Sequence, residues 1–212
     1  TGKILTEVRA EAITTGYGQG STFTPIQLVQ AMTAIANEGK MMQPYVIDKI
    51  VNPNTGEVVK DYEPVVKGEP IKPETASQML DLLSQVVNED PGSGKNYRLE
   101  EYEVAGKTGT ASISTGTGSY YSGTRYFYSF LGAVPADDPQ LIVYVGVKYP
   151  KIKTYGEGSV PVSKVVNSVV ENSLKYLNVN PENVDTVETT KLADFTGKNA
   201  IDVQASLQAD GI

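Results

Sequence analysis

Apolar positions along this chain repeat with two periods. Thr24-Pro25 places a capping hydroxyl ahead of a proline at a first helical position, and Ile26, Val29, Met32 and Ala36 then recur at helical spacing. A helix is predicted from Pro25, stopped by Asn37-Glu-Gly39 with Gly39 as its left-handed cap. After Pro70 and Pro73, the residues Ala76, Met79, Leu80, Leu83, Val86 and Val87 form one apolar stripe, a second helix that ends before Asp90-Pro-Gly-Ser-Gly94. Pro161 opens a third, with Val162, Val165, Val166, Val169 and Leu177 as its expected core face. Elsewhere β-prone runs replace the helical period. Tyr45 to Val51 and Glu57 to Tyr62 flank the turn Asn52-Pro-Asn-Thr-Gly56 and read as a hairpin. Tyr102 to Ala111 reads as extended, and Phe127 to Val134 and Leu141 to Tyr149, joined by Pro135-Ala-Asp-Asp-Pro139, form a strong antiparallel hairpin signal. Helices with a small antiparallel sheet predict an α+β fold in which the sheet packs against helices.

The segments between these elements set the organisation. Gly16-Tyr-Gly-Gln-Gly20 and Ser21 to Thr24 read as loop, and the Gly/Ser/Thr/Tyr-rich stretch 112–125 as a long loop, either mobile or functional. From 178 to 190 the run NVNPENVDTVETT is acidic and aperiodic, as a linker is. The expected domain is therefore 1–177. Residues 191–212 carry a short helical pattern (Ile201, Ala205, Leu207) closed by Gly211, too few to bury a core alone.

Composition removes whole classes of chemistry. The 212 residues include no Cys and no His, which excludes a thiolate nucleophile, a Ser-His-Asp triad, a His-ligated metal and a disulfide. Eighteen Lys plus Arg against 25 Asp plus Glu leave a net charge of -7, repelling a phosphate backbone, so no nucleic-acid partner is expected. The chain shows no leader and no apolar run near the roughly 18 residues of a membrane span, so it is expected to be soluble or to have its anchor on another segment. No motif asks for a cofactor.

The candidate chemistry centres on Lys107-Thr-Gly-Thr-Ala111. A phosphate-loop reading of Gly106-Lys107-Thr108 fails, since Glu101 stands where that loop needs glycine and no helix follows. In an extended segment Gly109 lets another backbone or a ligand lie against the strand, and the residues alone leave packing and binding both open. K-T-G is also the third motif of penicillin-interactive serine enzymes. The ordered pieces GYGQGSTFTPIQLVQAMTAIANEGK, PYVIDKI, VAGKTGTA and YFYSFLGAVPADDPQLIVYVGV resemble the C-terminal part of the transpeptidase domain of a class B penicillin-binding protein, a monofunctional peptidoglycan D,D-transpeptidase. The resemblance covers about residues 10 to 177. Leu192-Ala-Asp-Phe-Thr-Gly197, with Ala200, Leu207 and Gly211, resembles the opening of a PASTA domain, although Ala193 stands where that module usually has proline.

That resemblance implies a serine attacking a stem peptide ending in D-Ala-D-Ala, the acyl group passing to an amine of a neighbouring strand, and β-lactams acylating the same serine. It implies Lys107 as an electrostatic anchor, the backbone N–H of Thr110 as one oxyanion donor, the hydroxyls of Thr108 and Thr110 as carboxylate partners, and Gly109 as the gap for a ligand; Ser112, just past the motif, is a candidate substrate contact, with a solvated loop serine as the alternative. Strand alternation sends Lys107 and Thr108 to opposite faces, so one ligand meets both only beside the strand edge or at a local twist. No serine stands three residues before any lysine and no S-x-N occurs, so the family's nucleophile motifs are expected on an upstream part of the same protein and this chain alone is expected to be inactive. The resemblance further implies attachment to the outer face of a Gram-positive plasma membrane through an upstream segment, and division or elongation proteins as partners. A β-lactamase or β-lactam sensor sharing K-T-G, and a non-catalytic wall-binding module, are the competing readings. Arg125, Tyr126 and Tyr128 follow the long loop where they could border a cleft, the tyrosines reading more as packing, while Asp137 and Asp138 read as turn formers and Gln19 as a structural hydrogen-bonding residue.

Overall fold

A computed structural model describes residues 9–16, 18–113, 125–181, 195–199, 202–204 and 207. Four α-helices are seen among them: α1 (Arg9–Gly16), α2 (Pro25–Ala36), α3 (Pro73–Asn88) and α4 (Ser159–Tyr176). The start of α2 follows the sequence signal, Thr24 and Gln27 forming a reciprocal capping box ahead of Pro25. α1 was not predicted, because RAEAITTG carries no apolar stripe. Its end is nonetheless written in the glycines. Gly18 adopts φ +84°, its N–H donates to Thr15 O (3.0 Å), and Gln19 N–H donates to Thr14 O (2.9 Å), a Schellman closure. α4 ends the same way at Asn178 (φ +55°), with Val179 N–H on Leu174 O (3.0 Å). At the end of α2 the left-handed turn is shared by Glu38 (φ +50°) and Gly39 (φ +87°) rather than made by Gly39 alone. Glycine is needed at 39 because a Cβ there would run into the Ile71 carbonyl.

Three antiparallel sheets are seen in the same residues. Two are two-stranded: β1 (Met41–Met42) with β4 (Val66–Gly68), and β2 (Lys49–Val51) with β3 (Val58–Asp61). The second is the expected hairpin, and all its side chains are exposed. The third has the order β5 (Ala105–Ser112), β6 (Tyr126–Val134), β7 (Leu141–Lys148). β5 begins three residues after the predicted Tyr102, and both Tyr102 and Val104 lie buried in the core before it. Within the sheet Thr108 pairs with Phe130 and Thr110 with Tyr128.

The core sits between this sheet, α3 and α4. Phe130 is fully buried. Its ring lies over the cross-strand pair Gly106–Gly132, where a Cβ on either glycine would meet it, and Tyr97 stacks on it at 3.9 Å and 11°. α4 opens at Ser159, two residues before Pro161, and buries Val162, Val166, Val170 and Leu174. The expected Val165, Val169 and Leu177 are 46%, 45% and 48% exposed. In a valine-rich helix the three- and four-residue rows compete, and here the four-residue row faces the sheet while Leu177 lies past the last turn. Ile26 and Met79, also expected in the core, are exposed, and α2 buries the expected Met32 together with Ala34. Among the described residues no helix is long and apolar enough to cross a membrane. Most of the expected linker and PASTA opening, and 114–124 of the expected long loop, lie outside the described residues.

Candidate active site

β5 is an end strand of its sheet, and the phase of the ladder decides what it presents outward. Ser112 pairs with Tyr126, and one residue on, Ile113 N–H donates to Arg125 O (2.9 Å). In an antiparallel ladder a residue's N–H and C=O point the same way and alternate along the strand. Residues 107, 109 and 111 therefore turn their main chain toward β6. Thr108, Thr110 and Ser112 turn theirs toward the open edge.

That phase resolves the conflict between side-chain alternation and a shared ligand. Lys107 and Thr108 do leave opposite faces of the strand. Lys107 Nζ nevertheless bends back to donate to the outward carbonyl of Thr108 (3.0 Å). The ammonium thus stands at the edge, beside the main-chain groups of Thr108 and Thr110. A groove of about 540 Å³ runs there, lined by the Lys107–Ala111 segment, Gly18, Gln19, Ser93 and Ser129. It shares Ser93, Thr108, Gly109, Thr110 and Ser129 with a hollow of about 170 Å³ that reaches Tyr128, Tyr155 and the start of α4 at Ser159. Gly109 is open toward this space: a Cβ there would meet only Ser129 Oγ, at 2.5 Å, before ordinary contact distance.

Neighbouring segments hold the edge in place. The hydroxyls of Ser93 and Thr108 share a hydrogen bond of 3.3 Å. Ser93 is delivered by a tight turn after α3, in which Gly94 N–H donates to Val86 O (2.9 Å) and a Cβ on Gly92 would strike the same carbonyl. Arg98 ties that turn down by donating to Val87 O (2.8 Å) and to Asp90 Oδ1 (3.0 Å). From the other side Gln19 Nε2 donates to Thr110 O (3.2 Å), across 91 positions of sequence. Tyr128 donates its hydroxyl to Tyr155 O (3.1 Å), and burial, then the neighbouring Tyr155 and Tyr126, push its pKa up. Burial pushes the Tyr97 hydroxyl up to about 12.

Residues 1–171 match the penicillin-binding protein transpeptidase domain family. Stage V sporulation protein D of Bacillus subtilis is 40% identical over 171 residues, 81% of this chain and 26% of that protein. The chain belongs to the penicillin-binding protein transpeptidase family, class B. It is also similar to the transpeptidase domain of Burkholderia pseudomallei penicillin-binding protein 3, with 32% identity and a TM-score of 0.67 over 82% of this chain and 49% of that one. Penicillin-binding protein 3 of Mycobacterium tuberculosis, solved in complex with aztreonam, matches at 26% identity and a TM-score of 0.65 over 77% of this chain and 37% of that one. The chain thus spans about a quarter to a half of these relatives' lengths, and the expected α+β transpeptidase fold is the one found.

Within this transpeptidase fold the structure brings Lys107, Thr108, Gly109 and Thr110 to one groove. Ser112 is exposed at the end of β5 and does not line it. Arg125 is exposed, with its guanidinium 5.9 Å from the Tyr149 ring. Asp137 and Asp138 form the β6–β7 turn, where Asp138 N–H donates to Asp137 Oδ1 (2.8 Å). Sequence reasoning missed Ser93 and Ser129. Ser93 lay inside a Pro/Gly turn read only as a helix stop, and Ser129 gave no signal beyond its place in a strand. Among the described residues no group of three or more Asp or Glu gathers to hold a metal ion.

Proposed function

We propose that the complete protein is a serine D,D-transpeptidase that cross-links peptidoglycan stem peptides and is acylated by β-lactams. One observation carries the reading: the ladder phase directs the N–H of Thr110 out of the open edge of β5, into the groove where Lys107 Nζ also stands. In this reading a serine Oγ from the S-x-x-K motif attacks the carbonyl of the penultimate D-Ala, and the lysine of that motif takes the proton. The C–N bond to the terminal D-Ala breaks and that residue leaves as the amine. An acceptor amine then attacks the ester and releases the serine. Negative charge developing on the carbonyl oxygen is met by Thr110 N–H and the serine's own N–H, and loss of one such donor costs roughly 3–4 kcal/mol of transition-state stabilisation. Lys107 and the hydroxyls of Thr108 and Thr110 hold the substrate carboxylate, and Gly109 leaves the groove wall free of a side chain. Aztreonam is a β-lactam, so its complex with the Mycobacterium tuberculosis relative supports the ligand class.

The same reading places residues 1–177 in the transpeptidase domain, 178–190 in a linker and 191–212 at the opening of a PASTA domain. It places the protein on the outer face of the plasma membrane of a Gram-positive cell, among division or elongation proteins. The decisive experiment incubates the complete protein with fluorescent penicillin and follows the adduct by gel and intact mass. A slowly hydrolysed adduct on the S-x-x-K serine is expected, and none on this 212-residue chain alone, which contains no such serine. Rapid turnover of the antibiotic would instead identify a β-lactamase, and no adduct at all a wall-binding module.

A further inference from the structure

The carboxylate partners on β5 are two threonine hydroxyls, and their surroundings differ. The Thr110 hydroxyl makes no hydrogen bond among the described residues, whereas Thr108 Oγ1 lies 3.3 Å from Ser93 Oγ. Ser93 and Thr108 both line the groove. A hydroxyl has one proton to give, and an ionised carboxylate can only accept. Thr108 therefore holds a carboxylate only with its proton turned toward the ligand. With Ser93 as the donor of the pair, one lone pair of Thr108 Oγ1 is occupied and the Thr108 proton is left for the groove. Once Thr108 donates to an anion its oxygen becomes a better acceptor, so the two bonds reinforce each other. The turn that carries Ser93 is fastened on both sides. Gly92 N–H donates to Glu89 O (2.9 Å) and Gly94 N–H to Val86 O (2.9 Å) at the end of α3, and a Cβ on Gly94 would lie 2.9 Å from Val87 Cγ2. Beyond it Asn96 Nδ2 donates to Ser159 Oγ (2.7 Å) at the start of α4, and Asn167 Nδ2 donates to Asn96 O (3.3 Å).

We infer that Ser93 is a positioning residue for carboxylate recognition: it donates to Thr108 Oγ1 and thereby aims the Thr108 proton at the ligand. The inference rests on the transpeptidase reading above. A carboxylate held alike before and during acyl transfer contributes to binding and little to the chemical step. Penicillin acylation of the complete protein is therefore measured over a range of concentrations, which separates the affinity of the initial complex from the maximal rate. Ser93→Ala is expected to weaken the initial complex about fivefold, the equivalent of one net hydrogen bond, with a much smaller change in maximal rate. Ser93→Thr keeps the hydroxyl and should bind as the parent does. Ser93→Val, its equal in shape without the hydroxyl, should bind as the Ala variant does. In a Thr108→Val background the Ser93→Ala change should add nothing, because the hydroxyl it orients is gone.

An Ala variant with the parent's affinity, or with a loss confined to the maximal rate, overturns the inference. Equal binding by the Thr and Val variants overturns it too, as does a Thr108→Val background in which Ser93→Ala costs as much as before. Should the Ala variant fail to fold, the Thr and Val pair decides alone. A parent protein that forms no adduct sinks the transpeptidase reading itself, and this inference with it.

Discussion

Gly106 and Gly109 stand on one strand, paired to one neighbour, and differ in what fills the space a side chain would take. Beside Gly106 that space holds the ring of Phe130, with the Leu131 carbonyl 3.1 Å from where a Cβ would lie. Beside Gly109 it holds a single serine hydroxyl and then the groove. Two residues, Lys107 and Thr108, separate a position where the missing side chain serves the core from one where it serves access. The same residue type therefore predicts opposite responses to the same substitution.

The largest expected effect is on the core side. Gly106→Ala forces a methyl group into a stacked, fully buried ring and should cost about 3 kcal/mol, the upper end for overpacking, lowering the melting temperature by roughly 10 °C. Thermal unfolding measures it, and Phe130→Leu in the same chain should recover part of the loss, because the two changes share one space. On the groove side, Lys107→Ala in the complete protein should slow penicillin acylation about 100-fold, some 2.7 kcal/mol of barrier, while melting stays within a few degrees. A large fall in stability with unchanged acylation would move Lys107 into the structural half of the comparison.

Alkaline titration separates the halves further. Tyr97 stacks on the ring that fills the Gly106 side, and burial raises its hydroxyl from 10 to about 12. The fold favours the neutral phenol, so its contribution is complete below pH 10 and is lost as pH rises from there through about 12. Two pKa units correspond to about 2.7 kcal/mol. Tyr128 shifts in the same direction. Denaturant unfolding between pH 9 and 12 should show the decline, and Tyr97→Phe should flatten it. The smallest effect on stability belongs to Gly109→Ala. Rotating Ser129 Oγ aside makes room, so the cost should be below about 1 kcal/mol, while the new methyl group faces the groove and slows acylation. Equal destabilisation by the two glycine substitutions would break the comparison outright.

What the sequence made legible was local. The Thr24–Gln27 capping box, the proline starts of α2 and α3, the hairpin through Pro135–Pro139 and the extended Lys107–Ala111 segment depend on neighbours within a few residues, and the structure has them where periodicity and turn chemistry put them. α1 escaped because its stability does not come from an apolar stripe of its own. The buried face of α4 was misassigned because two rows of valines satisfy the helical period equally, and only the sheet chooses between them. The resemblance to penicillin-binding transpeptidases pointed to the lysine, threonines and glycine of the groove, and Gln19 was expected to make a structural hydrogen bond, but neither the contact of Ser93 with Thr108 nor the choice of Thr110 as the partner of Gln19 leaves a trace at sequence separations of 15 and 91.

Residue order alone settled which groups this protein has to work with: no imidazole, no thiol, and a Lys-Thr-Gly-Thr run in an extended stretch. Which edge of that run lies open was decided only when β6 took its register, because a hydrogen-bond ladder assigns every carbonyl and N–H to one side or the other as a set. A shift of one position in that pairing would leave the chain's composition and motifs intact and turn the N–H of Thr110 inward.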